Sequence, residues 1–173
     1  MDEMAKWFER KFPWHAPVEI FPMFLERLRG APVRVEEKAS TVAPGFLTVR
    51  DGEDWSIQEH VGHLLDLEPL WSGRLDDFDS GLETLRPADL TNTKTREANH
   101  NDAALDTLVT GFRREREAIV ARLDAMTIKE AGRAALHPRL ELPMRVIDLC
   151  QFVAEHDDHH LALITRVVHR LSR

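Results

Sequence analysis

The sequence lacks the features that would place it among secreted or membrane proteins. Its one cysteine in 173 residues, Cys150, excludes an intramolecular disulfide and is typical of a reducing compartment. A lone cysteine is more often a buried small hydrophobe than a nucleophile. No apolar run approaches the roughly 18 residues that a membrane-spanning helix needs. The N-terminal residues MDEMAKWFERKF are partly acidic and do not resemble a secretory signal. We therefore expect a cytoplasmic protein without a membrane partner.

An excess of basic residues is also missing, since the net charge is -7. Nucleic-acid-binding proteins normally present a basic patch or stripe. The nearest cluster, Arg113, Arg114 and Arg116, is interleaved with Glu115 and Glu117, which predicts a solvated helix face. The sequence has no Gly-rich phosphate loop and no recognisable Ser-His-Asp arrangement. Nucleic acid is therefore not an expected partner, and nothing favours nucleotide binding or covalent serine chemistry.

What the sequence does contain is helical periodicity. Hydrophobic residues make up 43% and charged residues 31%, as in an ordinary globular protein. Its length fits a single domain, residues 1–173, whose core needs no disulfide or metal. Turn residues separate four long helical segments, and no repeated period-2 alternation indicates a sheet. We predict an all-α fold, a four-helix bundle of the up-down type with a crossover connection.

The predicted helices span about residues 17–29, 56–78, 102–123 and 143–171. The first should end at Gly30-Ala31-Pro32, and a short helix over 36–42 is expected in the connection that follows. The last should begin with Pro143, because the first helical position has no hydrogen bond to lose. Trp7 and Trp14 belong to an N-terminal arm or short helix, and 127–132 forms a short helical turn.

The second helix has the clearest start signal. Ser56 is a good N-cap, and Glu59 three residues later completes a capping box. Pro69 should kink this helix, because it removes one backbone hydrogen bond. The long polar segment 82–101 is predicted to be the crossover connection and to pack over one end of the bundle.

The strongest chemical signal is the run Glu155-His156-Asp157-Asp158-His159-His160 in the last helix. At about 100° per residue, His156 and His160 lie within roughly 40° of each other, on the apolar face. Such an i, i+4 pair lets two imidazole nitrogens meet one metal ion at about 2.0–2.1 Å. The alternative is a pair of core histidines with satisfied hydrogen bonds.

A third imidazole favours the metal. His63 lies on the apolar side of the second helix with Leu67 and Leu70, so it can enter from a facing helix. Metal sites in helical bundles are built in this way. His60, one turn earlier, competes with His63 for this role.

The sequence resembles the DinB/YfiT-like family of metal-binding four-helix bundles over nearly its whole length. The motifs that carry the resemblance are Trp55-Ser56-Ile57 with His63-Leu64, the stretch 112–116, His137-Pro138, and the run from His156 to His160. In that family, the histidine eight residues after the tryptophan and the two histidines of the H-x-x-x-H motif form a metal site. The resemblance thus implies His63, His156 and His160 as ligands, with His60 and His159 as neighbours.

The resemblance also implies an activity. Relatives look like S-transferases or isomerases that use low-molecular-weight thiols such as bacillithiol or mycothiol, or like metal-dependent hydrolases, and many look like homodimers. Three imidazoles leave a metal an open position. The catalytic group would be a metal-bound water or a metal-bound thiolate. We therefore hypothesise a metal-dependent enzyme acting on small molecules, with thiol S-transfer ahead of hydrolysis.

Two other readings stay open. One is a non-catalytic metal-binding or sensing bundle, and the other a dimerisation scaffold with core histidines. The expected metal is Zn or Ni, although Fe or Mn is also compatible with the ligands.

Several residues are candidates for supporting roles. The carboxylates that could orient a ligating histidine are Glu59, Asp66, Asp157 and Asp158; their alternative role is as solvated surface charges. Arg116 is a candidate for binding an anionic group of a thiol cofactor, or else for a surface ion pair. Trp55 and Trp71 either wall a substrate cavity or pack in the core. His100 and His137 lie in connections and are expected to cap or turn.

Overall fold

Four long helices and one small hairpin make up the fold. A computed structural model describes residues 4–171, so the predicted domain ends at 1 and 173 lie outside the described residues. The helices are α1 (Phe21–Ser40), α2 (Ile57–Asp79), α3 (Thr93–Glu97), α4 (Leu105–Asp124), α5 (Ile128–Ala131) and α6 (Val146–Leu171), and the strands are β1 (Ala134–His137) and β2 (Leu142–Arg145). Short 3-10 turns lie at Trp7–Glu9, Val18–Ile20, Pro44–Phe46 and His100–Asp102. The predicted four-helix bundle, α1, α2, α4 and α6, is confirmed. Within 4–171, no helix is long and apolar enough to cross a membrane.

A polar layer divides the core of the bundle into two apolar clusters. On α2, Ile57, Val61 and Leu64 belong to one cluster and Trp71, Leu75 and Phe78 to the other. The same division recurs on α1, α4 and α6. The residues between the clusters include Glu68 on α2, Arg116 on α4 and Asp157 on α6, all about 1% exposed. A buried cluster of charges therefore lies midway along the helices.

The order of the clusters along the chain gives the helix directions. On α2 and α4 the cluster containing Ile57 comes first, whereas on α1 and α6 it comes second. Because α2 and α4 run the same way, the connection between them must return along the length of the bundle. It pairs with β1 through a bridge between Thr84 and Leu136, and α3 then packs against α2. The predicted crossover exists, but it runs alongside α2 rather than over one end.

The predicted end of the first helix at Gly30-Ala31-Pro32 is wrong. α1 continues through Pro32 to Ser40, and the expected short helix over 36–42 is largely its last turns. Pro32 has no N–H to donate to the carbonyl of Leu28, four residues earlier. Nη1 of Arg116 lies 3.5 Å from that carbonyl oxygen and donates to it instead. A donor from another helix thus hydrogen-bonds to the carbonyl that Pro32 leaves without a partner.

The predicted start of the last helix is also wrong, because Pro143 lies in β2 opposite Leu136 and α6 begins at Val146. Proline is tolerated in a two-stranded hairpin, where a strand has a free edge. The strand sequences AALH and LPMR show no alternation of apolar and polar residues, although the burial of β1 does alternate. The hairpin therefore gives no clear pattern in the sequence, yet it buries His137.

The predicted capping box at the start of α2 is confirmed. The hydroxyl of Ser56 accepts from the backbone N–H of Glu59 at 3.1 Å, and the Glu59 carboxylate accepts from the backbone N–H of Ser56 at 2.9 Å. The Ser56 hydroxyl also donates to the side chain of Asn101 at 2.7 Å. The cap therefore fixes both the start of α2 and the end of the crossover connection.

Arg116 forms the centre of the polar layer, with two carboxylates around one guanidinium. Its Nε and Nη2 donate to the two oxygens of Glu68 at 2.9 and 2.6 Å. Its Nη1 and Nη2 donate to the two oxygens of Asp157 at 2.5 and 3.2 Å. The sequence predicted a solvated or cofactor-binding arginine here, but the guanidinium is buried and its donors are taken. Arg116 therefore joins all four long helices, including α1 through the carbonyl of Leu28.

We predict that Gly62→Ala destabilises the protein whereas Gly30→Ala does not. A Cβ at Gly62 would lie 2.2 Å from Cγ of His100, whereas one at Gly30 meets nothing within 4 Å. Alanine is favoured over glycine in helices, so Gly30→Ala should raise the free energy of unfolding by about 0.5–1 kcal/mol. Gly62→Ala should lower it by about 1–3 kcal/mol, because the His100 ring must move. Urea unfolding measures both, and equal stabilisation by the two variants would contradict this packing.

We further predict that Arg116→Met lowers the free energy of unfolding by about 3–5 kcal/mol, because it leaves two buried carboxylates without their cation. Arg114→Met is the matched control, since that side chain is 78% exposed on the same helix. It should change stability by no more than about 0.5 kcal/mol. Urea unfolding of the two variants would contradict the prediction if their losses of stability were similar.

Candidate metal centre

Three histidines from two helices converge in the polar layer. His63 lies on α2, and His156 and His160 lie on α6; we call them the histidine triad. All three are buried, and one ligand nitrogen from each lies within 4.8 Å of the others. Their ring centroids are 4.5 to 5.4 Å apart. The side chains predicted from the sequence are therefore brought together by the fold.

The hydrogen bonds of His63 determine which ring nitrogen is available. Its Nδ1 lies 3.0 Å from the hydroxyl of Thr95, and that hydroxyl donates its one proton to Asp66 at 2.9 Å. The hydroxyl oxygen must therefore accept from His63, so Nδ1 carries the proton. Nε2 of His63 is left with a lone pair, which is the form a metal ligand requires.

Asp66 is held in turn by the end of the crossover connection. Nε2 of His100 donates to the same Asp66 oxygen at 2.7 Å, and Lys94 forms an ion pair with the other oxygen at 3.4 Å. The His100 ring packs against Gly62, where a side chain would not fit. Asp66 is thus the candidate carboxylate that supports the triad, acting through Thr95.

The other three candidate carboxylates are engaged elsewhere. Glu59 completes the capping box and pairs with Arg50, Asp157 pairs with Arg116, and Asp158 pairs with Arg27 and Arg34. Each is paired with an arginine. None of them therefore orients a ligating histidine, which was the role that the sequence suggested for them.

His60 supports the triad from outside. Its Nδ1 lies 2.9 Å from Nδ1 of His160, so one of the two must donate to the other. If His160 is the donor, its Nε2 keeps a lone pair, as in His63. The structure thus places His60 beside a triad member, in the neighbouring position that the resemblance implied.

His156 has an unsatisfied nitrogen. Its Nδ1 is buried and has no hydrogen-bond partner among the described residues. Trp7 from the N-terminal arm covers the ring edge-on, with ring centroids 4.9 Å apart. A buried polar atom without a partner is costly, and an ion bound among the imidazoles is one way to offset this cost.

Burial keeps the triad neutral. Desolvation is the largest cause of the lowered pKa of His63, which falls to about 4. Desolvation and the neighbouring histidines depress the pKa values of His156 and His160 well below the ordinary value. Neutral imidazoles are the metal-binding form. The donor set, its protonation and the unsatisfied Nδ1 of His156 therefore fit a divalent transition metal.

The triad opens into a cavity of about 530 Å³. Aromatic side chains form much of its wall, namely Trp7, Phe8, Trp55, Trp71 and Phe152. The Trp55 ring lies 4.8 Å from that of His63, and Trp71 lies 6.0 Å from His156. Both tryptophans thus line the cavity, and Trp71 is also buried in the core. Arg116 does not line it, so the structure gives no support to a role for Arg116 in binding a cofactor.

The remaining predictions have mixed outcomes. Cys150 is the buried small hydrophobe that was expected, and burial raises the pKa of its thiol. His137 forms a turn, as predicted, because its Nδ1 accepts from the backbone of Arg139 and Leu140. His100 instead pairs with Asp66. Sequence reasoning missed Thr95 altogether, since a lone threonine in a crossover segment gives no signal.

The comparisons with known proteins agree with this architecture. The model of the DinB superfamily matches residues 24–164. The chain belongs to the DinB superfamily. Its fold is similar to that of YfiT from Bacillus subtilis, described as a probable metal-dependent hydrolase with an unusual four-helix bundle topology. The TM-score is 0.82 and the identity 19%, over 95% of this chain and 94% of YfiT.

Two further structures share the superfamily fold at lower similarity. The colibactin self-resistance protein ClbS, solved in complex with a dsDNA, has a TM-score of 0.68 and 11% identity over 85% of this chain and 94% of ClbS. A Streptococcus pneumoniae protein has a TM-score of 0.66 and 12% identity over 90% of this chain and 92% of that one. No curated protein matches the sequence. At these identities the likenesses show a common fold.

We predict that Thr95→Val weakens metal binding about 10- to 100-fold, because it removes the group that orients His63. Competition with a chromogenic chelator measures the affinity. In the metal-free protein, ¹⁵N NMR should show His63 shifting from the Nδ1–H tautomer toward a mixture.

Thr91→Val is the matched control, because Thr91 is an exposed threonine of the same segment whose hydroxyl is close to Asp89 rather than a histidine. Thr95→Ser should restore both readouts. Unchanged affinity in Thr95→Val would show that Thr95 does not orient His63.

Proposed function

We propose that the chain is a metal-dependent enzyme acting on small organic molecules, with transfer of a low-molecular-weight thiol as its reaction. The observation that carries the proposal is the opening of three buried, neutral imidazoles into an aromatic-walled cavity. At about 530 Å³, this cavity is within the range of small-molecule sites, roughly 300–1,000 Å³.

The histidine triad would hold the metal. Zn or Ni is the expected ion, with Fe or Mn also compatible. When bound, such an ion supplies Lewis acidity that lowers the pKa of a coordinated water or thiol. A site of three protein ligands leaves room for such a group, as in catalytic rather than closed structural sites.

The surrounding side chains prepare the triad for this role. Thr95 and Asp66 hold the proton of His63 on Nδ1, so its other nitrogen is available. If His160 donates to His60, then His60 keeps its own proton on Nε2 and is a neutral donor at the cavity wall. Burial lowers the pKa of His60 to about 3, so it stays neutral at physiological pH.

Two reactions suit this arrangement. Thiol transfer is supported by the family resemblance and by the aromatic wall, because excluding water protects a reactive thiolate from side reactions. Hydrolysis is the second candidate, supported by the likeness in fold to YfiT, which is described as a probable metal-dependent hydrolase.

The proposed partners are a small-molecule substrate and, on the resemblance alone, a second copy of the chain. ClbS was solved with a dsDNA, but the net charge of -7 here gives no general attraction for a phosphate backbone. We therefore propose that this chain does not act on nucleic acid.

We predict that metal-loaded protein conjugates bacillithiol, mycothiol, glutathione or coenzyme A to a chromogenic electrophile faster than metal-free protein does. His160→Ala should reduce this rate at least 100-fold, because it removes a ligand. His169→Ala is the matched control, since His169 is exposed near the end of the same helix. A parallel assay with chromogenic esters tests hydrolysis.

The two assays separate the candidate functions. Activity on esters alone would show that the reaction is hydrolysis and not thiol transfer. If bound metal accelerates neither reaction, the enzyme proposal fails, and a binding or sensing bundle becomes the better explanation.

A further inference from the structure

The cavity has a second polar region on its wall, away from the histidine triad. Arg74 on α2, His137 on β1 and Arg139 in the hairpin turn all line the cavity. We call these three residues the arginine pocket. None of them is assigned a role in the proposed chemistry, and each has side-chain donors with no hydrogen-bond acceptor among the described residues.

His137 is a fixed donor. Its Nδ1 accepts from the backbone N–H groups of Arg139 and Leu140 at 3.3 and 3.2 Å, so the ring proton must be on Nε2. That Nε2 is buried and has no partner among residues 4–171. The side chain is 2% exposed, and the hairpin holds it in place. The hairpin therefore holds the Nε2–H of His137 in a fixed position, and no acceptor for it lies among the described residues.

Arg74 is a buried cation that forms no ion pair with a carboxylate of residues 4–171. It is 1% exposed, and the hydrogen bond it makes within the described chain runs from Nε to the backbone oxygen of Arg86 at 3.3 Å. The neighbouring carboxylate, Asp77, is engaged by Arg86 through its side chain and backbone. A buried charge is rarely left unpaired. Arg74 is therefore a strong candidate for binding an anion from outside the chain.

Arg139 adds a second cation. Its Nη2 is buried and has no hydrogen-bond partner in the described part of the chain, and its guanidinium lies over the Phe8 ring at 5.4 Å. Both Arg74 and Arg139 lower the pKa of His137 through their charges, after desolvation, to about 4. The arginine pocket thus contains two positive charges and a neutral N–H donor.

Of the three carboxylates that line the cavity, Asp54 and Asp89 are engaged elsewhere. Asp54 pairs with Arg166 and Arg170, and Asp89 accepts from the backbone of Thr91 and Thr93. Glu53 also lines a second, smaller cavity, together with Arg50 and Arg96. None of these carboxylates forms an ion pair with the arginine pocket.

Aromatic residues bridge the arginine pocket and the triad. The guanidinium of Arg74 lies over Trp71 at 5.5 Å, and the Trp71 ring lies 6.0 Å from His156. Phe152 lies between the rings of His137 at 5.6 Å and Trp71 at 6.0 Å. One aromatic side chain, that of Trp71, therefore contacts both Arg74 and a candidate metal ligand.

We propose that the arginine pocket binds the anionic group, a carboxylate or a phosphate, of a small organic substrate whose reacting group reaches the histidine triad. The apolar body of the substrate lies against Trp71 and Phe152. The placement of the reacting group rests on the proposed function, but anion binding by the arginine pocket does not.

The test measures binding to the whole metal-free protein by calorimetry, with three probes that share one aromatic ring. Phenylacetate carries a carboxylate, phenyl phosphate a phosphate, and phenylacetamide no charge. We expect at least one anion to bind tenfold or more tightly than the amide. The anion that binds better identifies the group for which the arginine pocket is built.

Variants locate the binding. Arg139→Met should weaken anion binding at least tenfold and leave phenylacetamide binding within twofold. Arg74→Met should do the same, provided that its circular dichroism matches the parent protein; otherwise Arg139→Met decides alone. Arg166→Met is the competing variant, since Arg166 lines the same cavity and its buried Nε also has no partner among the described residues, whereas its Nη2 pairs with Asp54. It should change anion binding less than threefold.

The proposal is overturned if neither anion binds more tightly than the amide, or if Arg166→Met weakens anion binding and Arg139→Met does not. His160→Ala should leave anion binding intact, because it removes only a triad member. If the enzyme assays fail but anion binding is intact, only the proposed function is contradicted. If the enzyme is active but does not prefer anions, only the proposal that the arginine pocket binds an anion is contradicted.

Discussion

The architecture depends on one buried guanidinium. Arg116 joins two carboxylates from α2 and α6 and also donates to a carbonyl of α1, so a single residue fixes the relative positions of four helices. Burial raises the pKa of Glu68 to about 7, and the nearby Asp157 carboxylate adds to the shift, even though Arg116 opposes it. Such a cluster contributes little net stability, but it forms only when its charged groups are placed accurately. It requires the helices to meet in one register.

That register sets the candidate metal centre. Asp157, which holds Arg116, is next to His156 on α6, and Glu68 follows His63 on α2 by about one and a half turns. Ligand nitrogens can bind an ion only when placed to within a few tenths of an ångström. A slip of one helix along another would separate His63 from the two α6 histidines. The ion pairs of Arg116 therefore hold α2 and α6 in the register that the triad requires.

The parts that could be predicted from the sequence are those encoded locally. The spacing of His156 and His160 and the capping box of Ser56 lie within one or two helical turns, so periodicity and side-chain chemistry reveal them. Other features depend on contacts between distant segments. α1 passes through Pro32 because Arg116, 84 residues later, supplies the missing donor. The contact of Thr95 with His63 and the buried donors of the hairpin arise in the same way, from the path of the connections.

The connections therefore give the cavity its chemical asymmetry. The long helices supply the neutral imidazoles and, through Trp71 and Phe152, part of the aromatic wall. The hairpin supplies His137 and Arg139, which line the cavity with Arg74 of α2, and their buried donors have no acceptor within the described part of the chain. Loops tolerate more sequence change than a packed core does. If the proposed metal and anion sites both exist, the hairpin can change the charge of the accepted substrate without altering the triad, so substrate choice should follow the hairpin.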